Sequence, residues 1–301
     1  RKTLEAGFTT VVDGGGVNYV DVAMKDAIRM GYVQGPDYYI SGKQITAWTS
    51  HFRGLGKETF GPWGMRRMVR EQLYWGVDQI KIENSAPIRS VGRSLAKGAF
   101  TPEEMEAAVD EAHSAGLLVS VHARGANPVR VAVEAGVDLI CHGTGMTERE
   151  IQLILDKGLY VLPTLASPNP DPEPHIINAK STRVIELLKE TGRVQWDSIR
   201  AAYKAGVKMA LSTDAGGVGI KHGENGKEML RMKQIGMTNY ECLKAATSEA
   251  AKAMRINNIG EIKKGNKADI VVLKDNPMEK LETVLDVAMV IKNGAVVKNW
   301  E

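Results

Sequence analysis

Four side chains in this sequence have the types and positions to do chemistry together: Lys81, His122, His142 and Asp214. Each ends a short run rich in β-branched residues, in Ile80-Lys81-Ile82, Val121-His122-Ala123, Cys141-His142-Gly143 and Ser212-Thr213-Asp214. Two imidazoles and a carboxylate are ordinary ligands for a borderline divalent ion such as Zn2+. Taken singly, each has a plainer explanation. A lone histidine more often packs than ligates, and a lysine ending a strand is usually leaving the core for water. An aspartate after Ser-Thr can close an Asx turn or cap a helix. As a set they resist that explanation, because each occupies the same place in its own repeat. Nor would a lysine otherwise end an apolar strand beside two imidazoles, since cations repel.

The repeat is a helical stretch that ends at a glycine, followed by a short apolar run. It occurs seven times, at Gly7, Gly31, Gly76, Gly116, Gly136, Gly158 and Gly206. The runs cover residues 8–13, 77–81, 117–122, 137–142, 159–164 and 207–214, with a weaker one near 38–40. Glycine just past a helix end takes the left-handed conformation that stops the helix. The returning helices announce themselves with Thr101, Thr147 and Thr238, each three residues before a glutamate, which is the pattern of a capping box. Alternating strands and helices build a parallel sheet with both faces covered. A doubly wound sheet and a (β/α)8 barrel of the TIM type both fit. Seven units are counted better as a barrel whose first strand is absent from this chain, and a barrel gathers its strand-end residues on one rim. After Met254 the pattern changes to β-strands over 260–265, 268–273, 287–291 and 295–297, with Asn293-Gly294 as a hairpin turn. The expected division is a barrel over 1–254 and part of a small β-sandwich over 255–301.

Composition narrows the partners. The 301 residues are 43% hydrophobic and 25% charged, an ordinary globular balance. A net charge of +3 provides no field to hold nucleic acid or an anionic membrane. No apolar run approaches the roughly 18 residues of a membrane span. Two cysteines, Cys141 and Cys242, suit a reducing compartment and point to the cytoplasm. Gly14-Gly15-Gly16 lacks the spacing of a dinucleotide loop. The opening, Arg1 to Gly7, reads as the tail of a helix, so an upstream segment is expected. Without a first strand the edges of the second and eighth would lie open, so the chain is expected to be unstable, to self-associate as a homo-oligomer, or to be completed by a further segment.

The motifs, in this order, resemble the amidohydrolase superfamily, and within it the imidazolonepropionase- and prolidase-like metal-dependent hydrolases. Residues 5–13 look like that group's second strand. His222-Gly223 with Lys227-Glu228-Met229-Leu230, and Gly236-Met237-Thr238 leading to Ala245-Ala246-Thr247, look like its last strand loop and final helices. Gly265-Asn266-Lys267-Ala268-Asp269 resembles its returning β-sandwich. The resemblance implies one or two divalent ions bridged by a carboxylated Lys81. It places His122 and His142 on the more exposed ion, and Asp214 on the other ion as general base to the activated hydroxide. It further implies hydrolysis of an amide or peptide-like C–N bond in a small molecule such as a dipeptide. Lactone, ester or phosphotriester hydrolysis on the same centre stands as the alternative, beside a catalytically impaired fragment or a binding module. A deaminase fits less well, since Lys81 is present and no glutamate follows His122 closely. One departure is plain: the family's first strand carries a His-x-His pair, and none occurs among these six histidines. A chain complete as it stands would hold a single or weakly bound ion; within a longer chain the full site is restored.

Three further residues are candidates for touching substrate. His51, in Trp48-Thr49-Ser50-His51-Phe52-Arg53, lies on a loop of the expected rim. Arg124 has the fork to grip a carboxylate, and His222 sits in the last strand loop. His113 reads as a helix-surface residue, and His175 as part of a proline-rich rim segment. Trp196 and Tyr203 read as packing, and Lys57, Arg66, Arg67 and Arg70 as a solvated helix face.

Overall fold

Helices that stop at glycine feed strands too short and too apolar to stand alone, so the strands pair with one another and the helices cover them. A computed structural model describes residues 1–86, 97–173, 177, 180–217 and 221–299. The strands are β1 (Thr10–Val12), β2 (Asp37–Tyr39), β3 (Ile45–Thr46), β4 (Lys57–Glu58), β5 (Gln79–Glu83), β6 (Leu118–Arg124), β7 (Leu139–Thr144), β8 (Tyr160–Leu162), β9 (Lys208–Met209), β10 (Ile270–Leu273), β11 (Val287–Lys292) and β12 (Ala295–Asn299). A parallel sheet runs in the order β4-β3-β5-β6-β7-β8-β9, and β1 pairs in parallel with β2. The two are continuous through Ile40, whose carbonyl accepts from Asp78 N at 2.8 Å and Gln79 N at 3.3 Å. The result is a mostly parallel sheet wrapped by helices, of TIM-barrel type. Among the described residues β1 and β9 each keep one edge without a strand partner.

The local signals produce the elements they should. Gly158 closes the helix Glu148–Lys157 at φ 62°, and Gly206 follows the long helix Thr182–Lys204 at φ 92°. Thr101, Thr147 and Thr238 each form a complete capping box with the glutamate three residues on. β5, β6 and β7 are buried along their whole length, as strands with both faces covered must be. Their outward-facing Ile80, Val121 and Ile140 pack with Met105, Val129 and Ile154 of the covering helices in one core. The weak third run forms β2, and the short β3 follows it. One reading needs correction. Residues 260–265 form no strand: Gly260 turns at φ 82°, Asn266 N bonds Lys263 O, and Ile262, 86% exposed, has nothing to pack on. Among the described residues no helix is long and apolar enough to cross a membrane.

The small antiparallel sheet β10-β11-β12 turns at Asn293 (φ 51°) and Gly294 (φ 81°). Buried charge ties it to the barrel. Lys292, 8% exposed, meets Asp269 at 2.7 Å and Asp37 at 2.9 Å, and Lys267 reaches Asp37 at 2.6 Å. Lys292→Met would leave the Asp269 carboxylate buried without its cation, at an expected cost of roughly 3–5 kcal/mol. Urea unfolding should show it as a lower midpoint; an unchanged midpoint would mean the network holds nothing. Burial pushes Asp37 up, but Lys267 and Lys292 outweigh it and hold the carboxyl below the usual carboxylate range. The stability this provides is therefore full above the unfolded value of about 4 and lost as pH falls through the folded one. Melting temperature should accordingly drop below about pH 4, and drop less in Lys292→Met.

Candidate active site

Strand alternation puts Gln79, Lys81 and Glu83 of β5 on one face, and Ser120, His122 and Arg124 of β6 on the same side. All six line a cavity of about 1630 Å³. It runs from the strand ends, between β1 and β9, to Val271 and Val287 of the small sheet. On β7 the alternation breaks. Cys141 and His142 both line the cavity although they are adjacent, because His142 takes φ 73° and the register with β6 shifts beside it.

Inside, Lys81, His122 and His142 line one cavity. The rings of His122 and His142 meet edge to face at 4.5 Å, and His51 stacks on His122 at 5.1 Å. Glu83, 2% exposed, joins them: its carboxylate lies 3.0 Å from Lys81 Nζ and 3.3 Å from His122 Nδ1. Burial pushes Lys81 down, but Glu83 outweighs it and keeps the ammonium charged. Burial, reinforced for His122 by His142, pushes both imidazoles well below their usual range, so both rings are neutral at pH 7.

One hydrogen bond holds the His142 ring. The Thr164 hydroxyl lies 2.6 Å from His142 Nδ1 and 2.8 Å from Pro163 O, which also accepts from Gln195 Nε2 at 2.7 Å. His122 Nε2 is buried with no partner. A neutral imidazole with an unengaged ring nitrogen is what a divalent ion needs. The match stops there: among the described residues no group of three or more His, Cys, Asp and Glu side chains is arranged to hold a metal ion.

The remaining candidates are placed as follows. Asp214 lines the same cavity, is solvent-exposed, and sits at φ 53°. Its charge acts on Lys81, His51 and Arg124. His51 is held by its backbone N–H on Ser85 O at 2.9 Å, and burial pushes its ring below the usual range. His222 is exposed against Gly216 at the cavity wall. Arg124 is 3% exposed and its guanidinium is engaged by Gln195 Oε1 (2.5 Å), Thr144 Oγ1 (3.2 Å) and Ser167 O (2.9 Å), leaving Nε without a partner. Only Nε is left to donate to a substrate without exchanging one of these bonds. His113 is on the surface, bonded to Asp138 at 2.9 Å; His175 lies outside the described residues. Lys57, Arg66 and Arg70 pair with Glu71, Asp110 and Glu111.

Sequence reasoning passed over Glu83 and Thr164. The first had a signal, since Lys81 and Glu83 are two apart on one strand and so share a face. Thr164 had none: its role depends on a contact with His142, 22 positions away.

The model of the Amidohydrolase family matches residues 1–297, and the chain belongs to that family. It is 26% identical to ochratoxinase of Aspergillus niger over 335 residues, covering 99% of this chain and 67% of that protein. With imidazolonepropionase of Salinispora tropica it shares 25% identity over 181 residues, 59% of this chain and 41% of that one. A crystal structure of a Xaa-Pro dipeptidase with bound methionine superposes with a TM-score of 0.89 at 32% identity, over 99% of this chain and 77% of that one. The homologues are hydrolases, and the family generally uses divalent metal ions.

Proposed function

We propose that this chain hydrolyses an amide or peptide-like C–N bond in a small molecule, in the manner of a prolidase or dipeptidase, with a zinc-type ion. The observation that carries the reading is the meeting of Lys81, His122 and His142 in one cavity on the adjacent strands β5, β6 and β7, with the buried Nε2 of His122 left without a partner. His122 and His142 would hold the ion through neutral imidazoles, and Lys81, once carboxylated on Nζ, through anionic oxygens. A divalent ion bound there supplies an acidified water and a polarised carbonyl. Asp214, at the open side of the cavity, takes the proton from the attacking water on a carboxylate oxygen. It then delivers that proton to the leaving nitrogen as the C–N bond breaks, so one water is consumed and an acid and an amine result. His51 and His222 flank the cavity and are proposed to face the substrate, with the unpartnered Arg124 Nε as a further donor. The resemblance to a Xaa-Pro dipeptidase and to ochratoxinase supports the amide over the ester.

The test is a panel of dipeptides ending in proline, N-acyl amino acids and the matching esters, assayed with zinc added and again with a chelator. Amide turnover that the chelator abolishes is expected; ester turnover without amide turnover would overturn the reading.

A further inference from the structure

Glu228 is a buried acid that the proposed chemistry does not use. It stands on the helix Lys227–Gln234 with none of its surface exposed. Its two oxygens accept from two consecutive backbone amides, Leu165 N at 2.6 Å and Ala166 N at 3.1 Å. Its neighbour Arg231 is turned to Glu173 at 3.2 Å. Burial pushes the carboxyl up to about 7, against the pull of Leu165 N, Arg231 and Ala166 N. A buried acid held mainly by main-chain amides is an expensive way to stabilise a turn.

What it grips explains the expense. The preceding residue, Thr164, is β-branched yet sits at φ 46°, a left-handed conformation such residues avoid. Successive N–H groups beside a left-handed residue form a concave anion-binding nest, and here the anion is the Glu228 carboxylate. The same turn is held from its other side, where Gln195 Nε2 donates to Pro163 O (2.7 Å) and Thr164 O (3.1 Å), and Trp196 Nε1 to Leu165 O (3.0 Å). The Thr164 hydroxyl in turn lies 2.6 Å from His142 Nδ1.

We propose that Glu228 is a positioning residue: by filling the nest it holds Thr164 left-handed, and so keeps the Thr164 hydroxyl on His142 Nδ1 and the ring set to offer Nε2 to an ion. The role assigned to His142 rests on the reading under Proposed function. The arrangement explains why the residue is Glu and not Gln. Both amides need acceptors, and a carboxamide would point its NH2 at one of them.

The experiment uses the full chain, metal-free, with nitrogen-labelled histidine. In the unaltered protein the His142 Nδ1 nitrogen should give a resolved resonance, assigned by its shift in Thr164→Val. Glu228→Gln should move it toward the Thr164→Val position, and should weaken Co2+ binding roughly tenfold. Should Glu228→Gln not fold, Glu228→Asp keeps the charge but loses the reach to both amides, and the same changes are expected. A folded variant of either kind with the His142 resonance unmoved and Co2+ affinity within twofold of the unaltered protein would overturn the proposal. If the resonance responds as expected while no amide is hydrolysed, the positioning role stands and the proposed function falls.

Discussion

Lys81→Ala is expected to lose its divalent metal and, with it, amide hydrolysis by a factor of about 1000 or more. The size follows from the several kcal/mol of charge stabilisation that an ion supplies at a reacting carbonyl. The experiment has a built-in confusion, because Lys81 also neutralises Glu83, which is 2% exposed. Removing the lysine alone leaves a buried carboxylate without its cation, at a cost of roughly 3–5 kcal/mol. Lys81→Ala combined with Glu83→Gln separates the two effects. The double variant should recover most of the lost melting temperature and none of the metal or activity. Retained metal and turnover in the single variant would remove Lys81 from the site. The Glu83 contact has a second consequence. Carboxylation needs a neutral amine, and Glu83 favours the ammonium. Uptake of isotopically labelled bicarbonate should therefore rise with pH and with added zinc.

Asp214→Asn should lower kcat by roughly 10²–10⁴, the usual contribution of a positioned general base, while KM changes little. The substitution is mild for the fold. Asp214 is exposed, and asparagine tolerates the left-handed backbone at φ 53° at least as well as aspartate does. Its melt should stay within about 0.5 kcal/mol of the unaltered protein's, as surface changes generally do. An unchanged kcat would take the proton relay away from this residue.

The elements were legible because their signals are local. A glycine that ends a helix, a threonine with a glutamate three residues on, and an Asn-Gly turn each act within one segment. Lys81, His122 and His142 were legible for a related reason: in a repeated unit, equal positions in sequence become neighbours in space. What escaped depends on long-range contact. Glu228 reaches residues more than 60 positions earlier, and Arg124 is consumed by Gln195, 71 positions later. The left-handed turn at His142 cannot be read from Cys141-His142-Gly143, since it exists only to bring a second side chain into the same cavity. The 260–265 segment misled in the other direction, because alternation around one isoleucine imitates a strand when nothing is there to cover it.

His142, Thr164 and Asp214 all hold their side chains at the cavity from left-handed backbone, at φ 73°, 46° and 53°. Each such residue costs on the order of 1–3 kcal/mol, and glycine at the same place would cost nothing sterically. The three sites are therefore where durability and turnover are opposed. A population of variants selected for heat resistance alone should drift toward glycine or asparagine at these positions, gaining stability as the chemistry is lost. Selection that also demands catalysis should leave all three untouched and find its gains elsewhere, on the outer faces of the helices.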